Sequence, residues 1–268
     1  MIRIVTAQGK RGREREYRIP SGWGELDKTT IRPAAKLLPY LKEGAYHDEA
    51  LRGICGIPKK TWKKLTSAEK LYISYELRWI AETRPELDGN LVGSVRLQGK
   101  RYEGFARLFS DMTWGEFIWA DTFFMLGRPE ELAATLWRER KGTGRKREPF
   151  DEEGMRRRTD RFRSLPPETT AAIFLNYAAT RKKALEDRYT NVFPQPAGRK
   201  TGTDEGGKET KAQDGKGKGS PAWFETHYAL VGENITEEGG YLKARLSTAM
   251  QLLDRKIRTE RETRRRKR

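Results

Sequence analysis

The sequence predicts a mainly α protein of the α+β class: a helical core with two small β-hairpins, a flexible linker, and a C-terminal helical hairpin. Three observations predict it. Apolar residues recur at helical spacing over most of the chain. Strand-like alternation is confined to two short stretches, 2–19 and 91–105. Residues 195–220 are rich in Gly, Lys, Thr, Asp and Glu and hold no large apolar side chain, which is the composition of a linker. The expected organisation is a core domain over 1–194, the linker over 195–220, and a helical segment with a basic tail over 221–268.

The first hairpin sets Ile2 and Ile4 against Tyr17 and Ile19 across a turn with Gly9 and Gly12. Thr29 or Thr30 is the expected cap of a helix carrying Ala34, Leu37, Leu38 and Leu41, which Pro39 should kink or end. A short helix over 47–55 stops before Pro58. Ser67 is the expected cap of the next helix, whose apolar face reads Leu71, Tyr72, Tyr75, Leu77 and Trp79 with Arg78 beside it. The second hairpin pairs Val92, Val95 and Leu97 with Tyr102 and Phe105 across Gln98-Gly99-Lys100. Thr113 caps a helix with Trp114, Phe117, Ile118, Phe124 and Met125 on one side. Helices are expected from Glu130 to Arg140 and from Pro166 to Leu185, with a Gly- and Arg-rich loop between them. Beyond the linker, Trp223–Val231 forms a short helix. Thr236 then caps a long one, whose seam Leu242, Leu246, Ala249, Met250, Leu253, Ile257 is close to a heptad spacing.

Seven Trp, ten Tyr and ten Phe are enough for a core. A single cysteine, Cys55, excludes an intrachain disulfide framework and Cys-based zinc modules. No apolar run approaches the roughly 20 residues that span a bilayer, so no membrane partner is expected. The N-terminal stretch lacks the apolar segment of a secretory signal, so the expected setting is the bacterial cytoplasm. The net charge is +17, and two stretches supply 12 of it: 255–268 with nine cations and two acids, and 138–163 with eleven cations and six acids. Both read as exposed, which places the basicity on a loop and a tail rather than on one recognition face.

The chemistry-bearing residues point to binding rather than catalysis. His47 and His227 are far apart and carry no ligand spacing, so neither metal nor other cofactor is expected. Gly142 and Gly144 lack the spacing of a phosphate-binding loop. Cys55, beside Ile54 and Ile57, reads as a small core residue. Asp121 falls inside the apolar stripe of its helix, where a carboxylate must be paired; it reads as a structural buried acid. Arg156, Arg157 and Arg158 read as a solvated helix face.

The order of several motifs carries a resemblance. YRIPSGWGEL (17–26), KRYEGF (100–105), MTWGEFIWADTFF (112–124), LAATLWRE (132–139), REPFD (147–151), the helix from Leu165 to Phe193 and WFETHYALVGENITEE (223–238) are similar to a group of phage and prophage proteins from gut-type bacteria. That group looks like tail assembly chaperones. Where the group carries a Tyr-Arg-Pro-like turn, this chain has Trp137-Arg138-Glu139. The resemblance implies a chaperone that covers apolar helices of a tape-measure or other tail protein, and it brings no catalytic residue. The expected grip is the seam Leu242, Leu246, Met250, Leu253 and Ile257, left partly open to a client. Two alternatives stand beside it. One is a nucleic-acid-binding accessory protein acting through Arg264, Arg265, Arg266, Lys267 and Arg268. The other is a structural head–tail or tail component of the virion.

Overall fold

The computed structural model describes residues 2–8, 13–87, 89–140, 147–194, 223–232 and 237–267. The linker over 195–220, the turn glycines Gly9 and Gly12, Gly142 and Gly144, Thr236 and Arg268 lie outside them. The chain is mainly α, of the α+β class. Strands β1 (Ile2–Gln8) and β2 (Arg13–Ile19) form an antiparallel ribbon in which Ile2 faces Ile19 and Gln8 faces Arg13. The chain then makes a 3-10 turn at Trp23–Glu25 and enters α1 (Ile31–Lys42). Neither threonine caps α1 with its side chain. Instead Asp27, one turn earlier, accepts hydrogen bonds from the Thr29 hydroxyl (2.7 Å), the Thr29 N–H (2.8 Å) and the Thr30 N–H (3.0 Å). The Thr29 hydroxyl, helped by these backbone donors, holds the Asp27 carboxyl at about 2. Pro39 does not end α1, which runs on to Lys42 and stops before Gly44.

α2 (Asp48–Ile54) is capped by His47, whose Nδ1 accepts from the Ala50 N–H at 3.3 Å. The short α3 (Lys59–Trp62), which the sequence did not signal, sends Trp62 inward. α4 (Ser67–Glu76) carries a reciprocal capping box between Thr66 and Glu69, so its cap is Thr66 and not Ser67. Its orientation also corrects the expected face. Ile73 and, just past the helix end, Leu77 point inward, while Leu71, Tyr72 and Tyr75 are 60%, 47% and 56% exposed. α5 (Trp79–Glu82) is a separate turn after the break at Leu77.

β3 (Ser94–Leu97) and β4 (Lys100–Glu103) pair through a two-residue turn, Gln98-Gly99, both with positive φ. That is the twist a tight hairpin requires. A 3-10 turn at Arg107–Phe109 leads into α6 (Trp114–Met125), capped by Thr113 on the Glu116 N–H. α7 (Pro129–Leu136) ends four residues earlier than expected. Trp137 turns the chain so that β5 (Arg138–Glu139) adds to β4 as a third strand. The supposed loop contains α8 (Glu152–Phe162), capped by Asp151. α9 (Pro167–Arg181) continues into a π-helical turn at Lys182–Glu186. α10 (Trp223–Val231), α11 (Glu238–Lys243) and α12 (Leu246–Arg266) complete the fold. The long final helix is interrupted at Ala244, where an extended step lets Thr113 and Arg245 bridge: the Trp114 N–H donates to Ala244 O (2.9 Å) and the Leu246 N–H to Met112 O (3.0 Å).

α6 is the central helix. Eight of its twelve residues are buried, because α7, α10, α11 and α12 cover different sides of it. A helix apolar all round is one surrounded by protein. Gly115 lets α11 come close: a Cβ there would lie 3.1 Å from Leu242 O. α1 packs on α9, and α7 links α6 to α8 and α9. The C-terminal helices have no core of their own. Trp223, Leu246, Ala249, Met250 and Leu253 belong to the same buried cluster as Trp114 and Phe117. Gly104, after β4, is equally constrained: a Cβ would meet Asn90 Nδ2 at 2.5 Å and the Trp137 ring at 2.7 Å. Gly104→Ala is therefore expected to cost about 1–3 kcal/mol, the usual penalty of overpacking. Urea unfolding of this variant checks it, and an unchanged midpoint would show that Trp137 has room to shift.

Candidate functional site

α6 carries a buried carboxylate near each end, and each organises a polar cluster. Near the C-terminal end, Asp121 is fully buried. Its Oδ1 accepts from Arg181 Nε (2.5 Å) and from the Tyr177 hydroxyl (3.1 Å), and its Oδ2 accepts from Trp223 Nε1 (2.6 Å) and Arg181 Nη2 (3.3 Å). Arg181 also pairs with Glu186 on the π-helical turn. Burial works against the Arg181 charge, but the adjacent Asp121 carboxylate outweighs it and holds the guanidinium above its ordinary range. Burial, reinforced by Asp121, pushes the Tyr177 phenol well above its usual value. The cluster thus joins α6, α9 and α10 through one side chain. Asp121 is where the apolar stripe placed it, inside the core and paired.

The other carboxylate, Glu116, is also fully buried. It accepts from Arg138 Nη2 (2.9 Å) and Arg147 Nη1 (3.1 Å), while Arg147 Nε reaches Asp111 at 2.8 Å. Arg158 lies close by and donates to Ala134 O (3.0 Å). Burial pulls both Arg138 and Arg158 below the ordinary arginine range. Arg138, Arg147 and Arg158 each keep an N–H group without an acceptor among the described residues. These three cations come from the stretch expected to be exposed. Folding brings them inside by giving them internal acceptors: Arg138 on β5 and Arg147 donate to Glu116, and Arg158 on α8 donates to Ala134 O of α7. Of the three arginines expected on a solvated face, Arg156 and Arg157 are there, each paired with the glutamate four residues before it. The approach to α6 is strained as well. Leu108 and Phe109 hold left-handed backbone, unusual for bulky side chains. The conformation is fixed by Phe109 packed on Phe105 and Tyr177, and by Asp111 accepting from the Ala106 N–H.

His227, 2% exposed, lies on α10 against the start of α6. Trp114 Nε1 donates to its Nδ1 at 3.2 Å, so the ring proton belongs on Nε2, which lies 3.6 Å from Glu238, beyond hydrogen-bonding distance. Cys55 is buried, and burial pushes its thiol up to about 12. Among the described residues no group of His, Cys, Asp and Glu is arranged to hold a metal ion, and no helix is long and apolar enough to cross a membrane.

No family model, curated protein or solved structure matches this chain.

The seam expected to grip a partner is mostly occupied by the chain itself. Leu246, Met250 and Leu253 are buried, and Leu242 and Ile257 are half-buried against the core. As an open grip this seam is corrected: α11 lays Leu242, and α12 the other residues, on the core instead of presenting them. Among the described residues, three exposed features bear on binding. One is the ridge Leu71, Tyr72 and Tyr75 on α4, with the Arg78 guanidinium 4.0 Å from the centre of the Tyr75 ring. Another is a shallow groove between Leu230, Tyr241 and the outer side of α12 around Leu252. The last is the distal half of α12, where every residue from Arg258 to Lys267 is exposed. That half contains Arg264, Arg265, Arg266 and Lys267, which lie on a continuous helix up to Arg266. The α4 ridge was visible in the sequence as apolar periodicity. Glu116 was not singled out, because a glutamate three residues after Thr113 reads as part of a capping box.

Proposed function

We propose that the protein is an assembly chaperone of phage or prophage tail morphogenesis that covers an apolar helix of a tape-measure or other tail protein. The α4 ridge carries the reading. Leu71, Tyr72 and Tyr75 share one side of a helix whose other side is locked into the core. Contiguous exposed apolar side chains on a rigid element are what a partner helix needs to dock. Two tyrosines and a stacked arginine are the residue types that concentrate binding energy at interfaces. The partner class comes from the resemblance of the ordered motifs, from YRIPSGWGEL to WFETHYALVGENITEE, to tail assembly proteins. A chaperone of this kind acts by keeping long apolar helices from associating with one another before the tail tube forms.

The test is binding of a helical tape-measure fragment by the wild-type protein and by Leu71→Asp with Tyr75→Asp. Both sites are exposed, so folding is expected to survive. The affinity is expected to fall by at least about 10-fold, as when two interface anchors are lost. A double variant that folds and holds the fragment as tightly as the wild type would remove α4 as the grip.

A further inference from the structure

We infer that the distal half of α12 is a rigid arm that binds the phosphate backbone of duplex nucleic acid without regard to sequence. From Arg255 to Lys267 the helix carries eight cations and two carboxylates, a net of +6. Among the described residues, Arg138, Arg147 and Arg158 are internal and Arg156 and Arg157 are paired with glutamates, so this arm holds the densest positive charge that faces solvent. It is anchored, not free. Leu246, Met250 and Leu253 fix the root in the core, Asp254 accepts from Asn191 (3.3 Å), and Arg261 donates to Asn191 Oδ1 (3.0 Å) and to its backbone oxygen (3.2 Å). Binding then costs little ordering of the backbone.

The composition of the arm selects the ligand. Ile257 is the last apolar residue, so the arm has no face to bury in a lipid surface. No aromatic residue follows Tyr241, so there is nothing on which unpaired bases could stack. It lacks the apolar anchor expected at the centre of a protein interface. What remains is cations distributed around a helix, which suits two rows of phosphates. The ten residues from Arg258 to Lys267 extend about 15 Å at 1.5 Å per residue. A helix about 10–12 Å across fits a major groove about 12 Å wide, with a phosphate strand on either side.

The experiment measures binding of the full-length protein to a short fluorescein-labelled DNA duplex of mixed sequence between about 50 and 200 mM salt. The comparison is a variant with Arg264→Ala, Arg265→Ala, Arg266→Ala and Lys267→Ala, which keeps helix propensity and touches no buried residue. For the wild type, log K should fall steeply with log salt. In the variant the slope should shrink by about 3–4, roughly one per lost phosphate contact. A second duplex of different sequence should bind equally well, and a single strand of the same length more weakly. The inference is overturned if the wild type does not bind duplex at the lowest salt, if the slope is the same in the variant, or if poly-glutamate of matched charge binds as tightly as the duplex.

Discussion

Asp121→Ala is expected to lower the stability of the fold by about 3–5 kcal/mol, because it removes the buried counter-charge of Arg181 and leaves that guanidinium only the partly exposed Glu186. Three donors from two other helices converge on this one carboxylate: Arg181 and Tyr177 from α9, and Trp223 from α10. Removing the acceptor leaves the Tyr177 hydroxyl and Trp223 Nε1 buried and unpaired and leaves Arg181 with Glu186 alone, and each unsatisfied group adds its own desolvation cost. Asp121→Asn should cost less, since its amide oxygen still accepts one bond. Asp121→Leu should be about as harmful as alanine, because it likewise takes the acceptor away from Arg181, Tyr177 and Trp223. Asp121→Leu combined with Arg181→Leu should recover part of the loss, by replacing the pair with apolar volume. Urea unfolding of the five proteins gives the order. A single alanine variant within about 1 kcal/mol of the wild type would show that water or Glu186 replaces the carboxylate at little cost.

Cutting the chain between residues 201 and 215 with an engineered protease site is expected to leave the two pieces together. Trp223, Leu246, Met250 and Leu253 are buried in the cluster that contains α6. At about 1.5–3 kcal/mol for each fully buried side chain, the four contribute about 6–12 kcal/mol before ordering costs. That is comparable with the whole stability of an ordinary domain. The nicked protein should co-elute and unfold in one transition. The fragment 1–194 alone should expose Trp114 and Phe117 and aggregate. If the pieces separate on a sizing column and 1–194 unfolds as cooperatively as the intact chain, the shared core is refuted.

The sequence carried the helical class, the tight Gln98-Gly99 turn and the Thr113 cap, because each depends on neighbours a few residues away. It also exposed Asp121, since a carboxylate inside an apolar stripe stands out against local spacing. Its partners were hidden, because they lie 56 to 102 residues along the chain. The α4 ridge shows a different limit. Leu71, Tyr72 and Tyr75 on one side and Ile73 and Leu77 on the other both fit a helical period, and a period identifies a face without saying which face meets the core. Arg138, Arg147 and Arg158 were read as solvent-facing because charge is usually exposed; only acceptors 22 to 31 residues away, Glu116 and Ala134 O, reverse that. The seam of α12 was legible as apolar, but its cover, α6, lies more than a hundred residues earlier.

That separation in sequence has a consequence during synthesis. Trp114 waits for His227, 113 positions later, and Asp121 waits for Trp223, 102 positions later. At about 5–20 residues per second, a ribosome needs about 5–20 s to supply those last partners. Through that interval α6 has emerged, yet one side of it is uncovered and its buried acid is without its indole donor. Nascent chains of this protein are thus most vulnerable to aggregation late in translation, and a stall after residue 194 would be more damaging than one before residue 114.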